Sequence, residues 1–201
     1  MPKMYIISGC NGAGKTTAAY TILPDIYKFK QFVNSDEIAR ILNPANPDSE
    51  AIRASRILLE RMNELIERGE DFCVETTLAT RTLLNTIKKA QQKGYYVTLI
   101  FFFLKSADMA VARVKFRVES GGHNVPEPTI RRRYEMGIKN FFNLYMPQVD
   151  CWYLVDNTPD PERQVAQGEK NGEIKIHQNS IYIQIRKKAM GERPKLFEIS
   201  D

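Results

Sequence analysis

The chain has 201 residues, 43% hydrophobic and 26% charged, with a net charge of +5 and a pI near 9.0. That length supports one α/β domain with a full core and no need of disulfides, and the composition is ordinary for a globular protein. The mild basic excess suits an anionic ligand without requiring nucleic acid: the basic residues are scattered apart from Arg131-Arg132-Arg133 and Arg186-Lys187-Lys188, and no aromatic-basic stripe accompanies them.

Cys10, Cys73 and Cys151 are odd in number and lack metal-type spacing, which points to a reducing compartment. The N-terminus shows no charged-then-apolar leader, and the apolar run Tyr95–Leu104 is too short to span a bilayer and reads as a buried central strand. A cytoplasmic protein is expected.

In chain order, Met4–Ser8 reads as a first strand. The glycine-rich segment Gly9-Cys10-Asn11-Gly12-Ala13-Gly14-Lys15-Thr16 follows it, and a helix-compatible stretch from Thr16 and Thr17 to Leu23 is closed by Pro24. Gln31–Asn34 is a second strand, and Ser35 is placed as the cap of a short helix through Leu42. A long helix is expected from about Ser49 to Arg68, with Ile52, Ile57, Leu58, Met62, Leu65 and Ile66 on one side and Gly69 as its stop. Asp71–Thr76 is a third strand, and Thr80 caps a helix ending near Gly94. Tyr96–Leu104 is a fourth strand, and Ser106 caps a helix over Ala107–Glu119. Ser120–Pro128 is a loop, Thr129 to about Tyr145 a helix, and Cys151–Val155 a fifth strand. Beyond it, Ile174 and Ile176, then Ile181, Ile183 and Ile185, alternate around His177–Ser180, which predicts a β-hairpin over 172–186 at the sheet edge. Alternating strands and helices imply an α/β, P-loop NTPase-type three-layer sandwich: a mainly parallel five-stranded sheet with helices on both faces, plus the hairpin. One domain is expected over 1–201, with its core at 4–158.

The glycine segment fits G-x-x-x-x-G-K-[ST] between a strand and a helix, the context that gives the pattern meaning. Its backbone N–H groups can curl around phosphates at a helix N-terminus. Gly9, Asn11, Gly12, Ala13, Gly14, Lys15, Thr16 and Thr17 are therefore the nucleotide-binding candidates for ATP (or GTP). Lys15 would reach the β- and γ-phosphates and Thr16 would bind Mg²⁺. Asn157, after the fifth strand, belongs to an adenine-side loop with Asp156 and Thr158.

Asn34-Ser35-Asp36 closes the second strand at the crevice end. There the Asp36 carboxylate can take a proton from a substrate hydroxyl or join the metal site; the alternative is an Asp favoured near a helix start by the dipole alone. Glu75 ends an apolar strand and is costly to bury unless it meets a cation or donors. It is read either as a substrate or water-mediated Mg²⁺ contact or as half of an internal ion pair, with Arg81 nearby as a substrate-binding candidate; Thr77 joins them only by the family resemblance given below. Arg113 and Arg117 share a helical face, and with the loop carrying His123 and the Arg131-Arg132-Arg133 run they form a lid over about 113–133 that can bring guanidinium groups onto a phosphoryl group. Consecutive arginines spread around a helix, so at most two of the three can reach phosphate. Arg117, Arg131 and Arg133 are the lid candidates for catalysis, and His123 can touch substrate or cap its loop.

The P-loop, Asn34-Ser35-Asp36-Glu37, Glu75-Thr76-Thr77-Leu78 and Gly121-Gly122-His123 with the arginines that follow, in this order from about Met4 to Thr158, resemble the zeta toxin family. The lid is most similar to its chromosomal relatives often labelled predicted ATPases. The resemblance implies an ATP- and Mg²⁺-dependent kinase on a parallel five-stranded sheet, with Asp36 as catalytic base and an antitoxin protein as a partner. It also implies a small-molecule hydroxyl as acceptor, in toxin members the 3′-hydroxyl of UDP-N-acetylglucosamine. Toxin members typically carry Glu-Gly-Thr where this chain has Glu75-Thr76-Thr77. Three alternatives stay open. An antibiotic or nucleoside kinase would keep Lys15 and Asp36 and change only the acceptor pocket. A nucleotide-switched ATPase would need an apolar strand ending in Asp-Glu, where Val155-Asp156-Asn157 stands instead. A nucleic-acid kinase would draw on the basic excess.

Overall fold

Met4, Ile6 and Ile7 are fully buried in β1 (Lys3–Ser8), which lies inside a seven-stranded sheet with paired neighbours on both sides. The computed structural model describes residues 1–15, 17, 31–158 and 161–191 of the chain. β2 (Phe32–Asn34), β3 (Phe72–Thr76), β4 (Tyr96–Phe103) and β5 (Cys151–Asp156) belong to one parallel set with β1. β6 (Arg163–Glu169) is antiparallel to β5, and β7 (Lys175–Ile176) is antiparallel to β6. The order is β2-β3-β1-β4-β5-β6-β7. The fold is α/β, of P-loop NTPase type.

Parallel strands need crossovers, and helices supply them. The described helices are α1 (Ser35–Leu42), α2 (Ala51–Arg68), α3 (Leu83–Gln92), α4 (Ala107–Glu119), α5 (Glu127–Asn140) and α6 (Asn179–Met190). A 3₁₀ turn, Pro47–Glu50, leads into α2, and a π-helical turn, Phe141–Tyr145, extends α5. The helix expected over Thr16–Leu23 lies outside the described residues.

The register lines up the crevice. Ser8 pairs with Thr76 on one side and Phe101 on the other, and Asn34 pairs with Glu75. The chain therefore leaves β1, β2 and β3 at one level, and the P-loop, Asp36 and Thr77 emerge together at the carboxyl ends of the strands, where open α/β sheets bind ligands.

The five parallel strands lie where hydrophobic runs place them, but the C-terminal region departs from the pattern. No hairpin spans 172–186. The hairpin pairs β6 with β7, and Ile181, Ile183 and Ile185 belong to α6. Alternating β-branched residues imitate strand periodicity, while Tyr182, Ile185 and Ala189 are the residues that bury, at helical spacing, and Gly191 at φ +79° ends the helix. β6 escapes a hydrophobic reading because its sequence, RQVAQGE, is mostly polar; Val165, Ala166 and Gly168 provide its buried positions. In α2, Ile52 is 74% exposed, and Ala54 takes a buried position on the inward face with Leu58, Met62, Leu65 and Ile66. α5 starts at Glu127, inside the expected loop, because Pro128 suits a helix's first turn.

The helical reading of the C-terminal segment has a direct check. Ile185→Ala, at a fully buried site, should cost about 2–4 kcal/mol in denaturant unfolding. Ile183→Ala, on the half-exposed side, should stay within about 0.5 kcal/mol. Equal losses at both positions would support a strand.

Candidate active site

The P-loop backbone turns sharply enough that its glycines are required. Gly14 sits at φ +69°, and a Cβ there would lie 2.6 Å from Asn157 Nδ2. That amide donates to Ala13 O at 2.7 Å, which ties the P-loop to the turn after β5. Lys15 is buried: its Nζ donates to Cys10 O at 3.1 Å and lies 3.4 Å from Glu75 Oε1 across the β1–β3 boundary, with both side chains nearly enclosed at 7% and 12% exposure. Of the two readings of Glu75, the ion pair is present. Thr16 lies outside the described residues, and Thr17 is helical and exposed. Cys10 is buried beside Lys15, and burial pushes its thiol up to about 11 although Lys15 and Arg113 pull the other way.

Asp36 owes its position to a cap. Asn34 rather than Ser35 is the N-cap of α1, because its Oδ1 accepts from Asp36 N at 2.8 Å and it has the extended backbone a cap requires. Asp36 thus stands in the first turn of α1 with its carboxylate exposed, on the same cleft as Lys15 and Glu75. This cleft holds about 140 Å³, and Thr76, Thr77, Thr80 and Thr82 contribute to its wall. Arg81 is exposed and outside that lining.

The wall after β3 is held in an unusual backbone. Leu78, fully buried, has φ +54°, a conformation that strains a non-glycine residue. Three contacts keep it there. Buried Asn140 Nδ2 donates to Leu78 O at 2.7 Å, and Leu78 N donates to Thr76 Oγ1 at 3.2 Å. Tyr145 Oη, on the π-helical turn, donates to Thr80 O at 2.7 Å. Gly137 of α5 makes this approach feasible, since a Cβ there would meet Thr77 O at 2.7 Å. Asn140, Tyr145 and Gly137 carry no sequence signal for such a role; only a glycine inside a helical pattern hints at a close backbone.

The lid arginines divide. Arg133 donates to Asn11 Oδ1 in the P-loop at 3.0 Å and lines the cleft. Arg132 lines it too, a residue that sequence spacing alone did not single out. Arg131 does not: it pairs with Asp108 at 2.7 Å and Glu127 at 2.8 Å on the α4–α5 surface, so its selection as a lid candidate is corrected in favour of its neighbours. Residues two apart on a helix point about 200° from each other, which is why Arg131 and Arg133 part company. Arg113 reaches Thr158 O at 3.4 Å on the Asn157 side. Arg117 donates to His123 O at 2.7 Å, so it braces the loop tip rather than the cleft. His123 Nε2 stands 3.9 Å from Asp48 Oδ1, and it borders a smaller pocket of about 50 Å³ with Asp36 and Arg133.

A P-loop at the end of the first strand, a carboxylate at the end of the second and lid arginines on a helix pair define a P-loop kinase fold. The family model for zeta toxin matches residues 1–144, and the chain belongs to that family. An uncharacterized protein of Haemophilus influenzae is 31% identical over 137 residues, covering 66% of this chain and 92% of its own. Among solved structures, a chain of the AvrRxo1-ORF1:-ORF2 complex with ATP superposes with a TM-score of 0.72 at 17% identity over 100% of this chain, which spans 66% of that one. A chain from the PezAT chromosomal toxin–antitoxin system of Streptococcus pneumoniae gives 0.60 at 13% identity, covering 97% of this chain and 88% of its own. Among the described residues, no helix is long and apolar enough to cross a membrane.

Two outcomes test this geometry. Asn140→Ala should leave Leu78 O without its donor, at a cost of about 1–3 kcal/mol, and should accelerate amide hydrogen exchange across residues 76–82 while β1 and β4 stay protected. Unchanged exchange there would mean that the loop holds itself. With its thiol raised by burial, Cys10 should alkylate at neutral pH roughly 10²-fold more slowly in the native protein than after denaturation, as mass spectrometry of the labelled peptide would show.

Proposed function

We propose that the chain is an ATP-dependent kinase that moves the γ-phosphoryl group to a hydroxyl of a small molecule. The observation that carries the reading is that Lys15 and Asp36 line one cleft, with Glu75 between the strands that deliver them. Family membership supports it, as does a structural neighbour solved with ATP.

In this reading the P-loop from Gly9 to Thr17 cradles the phosphates and Lys15 faces the β- and γ-phosphates. An arriving phosphate competes with Glu75 for the lysine and frees the glutamate to accept from a substrate hydroxyl. Asp36 takes the acceptor's proton as the new O–P bond forms and the bond from the γ-phosphorus to the bridging oxygen breaks. ADP leaves, and the proton passes to solvent. Asp36 suits the role because its carboxylate has no ion-pair partner among the described residues. Arg133, already joined to Asn11, steadies charge on the transferring group. Thr77 borders the acceptor, whereas Arg81 stands outside the cleft; Asn157 and Arg113 lie on the nucleotide's far side. The cleft offers carboxylate and hydroxyl oxygens, the donor type that Mg²⁺ favours. The Thr16 hydroxyl would hold the ion, which would neutralise phosphate charge when bound.

The nucleotide sugar brought forward by the family resemblance is one acceptor to try. A protein antitoxin belongs to the proposal too: one neighbour comes from a toxin–antitoxin system and the other was solved as a two-component complex. Three free, buried cysteines support a cytoplasmic setting.

Phosphotransfer assays should separate the two central residues. Lys15→Ala should abolish nucleotide binding or transfer, and full transfer in that variant would refute the P-loop assignment. Asp36→Ala should bind ATP nearly as wild type while kcat falls by roughly 10²–10⁴. A collapse of ATP affinity with loss of folding would make Asp36 structural.

A further inference from the structure

We infer that the acceptor is a small polyhydroxylated molecule bearing one anionic group, a sugar or polyol phosphate or a sugar acid, and that Arg132 binds its anion. The inference rests on the kinase reading above and narrows it.

The first observation is how the three consecutive arginines are used. Arg131 is held by two carboxylates on the outer surface, and Arg133 is held by Asn11 of the P-loop, on the nucleotide side. Arg132 lines the same cleft as Asp36, and its guanidinium has neither an ion pair nor a hydrogen bond among the described residues. The carboxylates that share this cleft have other work: Glu75 is paired with Lys15, and Asp36 is the base of the proposed transfer. A planar, permanently charged fork facing a cleft recognises a carboxylate or phosphate in two parallel hydrogen bonds.

The second observation is the chemistry of the wall. Ser35, Ser55, Thr76, Thr77, Thr80 and Thr82 put six hydroxyls on it. Ser55 donates to Ala51 O, Thr76 accepts from Leu78 N and Thr80 bonds Thr82, which leaves Ser35, Thr77 and the remaining lone pairs to meet the hydroxyls of a polyol. Leu58, Leu59 and Leu83 complete the wall with apolar surface for the carbon skeleton.

Size is the third. The cleft of about 140 Å³ and the adjoining pocket of about 50 Å³ stay below the ~300 Å³ where drug-sized sites begin, so they suit something near a monosaccharide. Among the described residues no aromatic ring lines either one.

The test supplies radiolabelled ATP with glycerol 3-phosphate, ribose 5-phosphate and glycerate, with glycerol and ribose as neutral counterparts, and with UDP-N-acetylglucosamine. The anionic compounds should be labelled with kcat/KM at least about tenfold above the neutral ones, the value of one charge-assisted contact. Arg132→Gln, at an exposed site that folding does not need, should raise KM for the labelled anion by about 10–100-fold and leave KM for ATP unchanged; Arg132→Lys should recover part of the loss. Preference for the neutral compounds or for UDP-N-acetylglucosamine overturns the inference and spares the kinase. So does an Arg132→Gln variant that loses ATP affinity instead. Labelling of none of them, with ATP only hydrolysed and at equal rates in wild type and Asp36→Ala, overturns the kinase reading and this inference with it.

Discussion

A buried ion pair between neighbouring strands is the constraint on which the site depends. Lys15 follows β1, Glu75 ends β3, and the parallel register that sets Ser8 against Thr76 brings the two charges within 3.4 Å in a nearly enclosed position. In a position this enclosed, a charge is costly without an opposite charge close by. The pair therefore ties the P-loop to the wall after β3.

Around that pair the crevice is built from parts of differing rigidity. The wall after β3 is over-determined: Leu78 is held at a positive φ that costs of order 1–3 kcal/mol, and it persists because Asn140, Tyr145 and the bare backbone of Gly137 all press on the same four residues. The π-helical turn gives α5 a reason to depart from regular geometry, since it is on that turn that Tyr145 reaches Thr80. The opposite wall is lighter. There His123 meets Asp48 at 3.9 Å and Arg117 braces the loop by one hydrogen bond to His123 O. One wall of the cleft is thus stiff and the other lightly held.

One tripeptide shows how helix geometry divides identical side chains. At 100° per residue, Arg131 turns outward to carboxylates, Arg133 turns to the P-loop, and Arg132 faces the cleft between them. Charge alone would count three equivalent arginines, whereas position on α5 gives them three different neighbours.

The local chemistry was legible in the amino-acid order. Gly9 to Lys15 between a strand and a helix, a carboxylate just past β2 and a glutamate closing β3 announce a phosphate crevice, because each is a short-range pattern tied to the end of a strand. Their convergence follows once the strands are parallel. Desolvation also implied that Glu75, if enclosed, would meet a cation or hydrogen-bond donors, though not that Lys15 would be the one. Tertiary structure decided the rest. Asn140 lies 62 residues from Leu78, and Asn157 lies 144 from Ala13, separations at which no periodicity carries information. The isoleucines of α6 satisfy strand and helix patterns equally, and packing of Tyr182, Ile185 and Ala189 settled between them. Which arginine faces the cleft turned on the rotation of α5 against its neighbours, a quantity fixed by the side chains it buries and by none of the three arginines themselves.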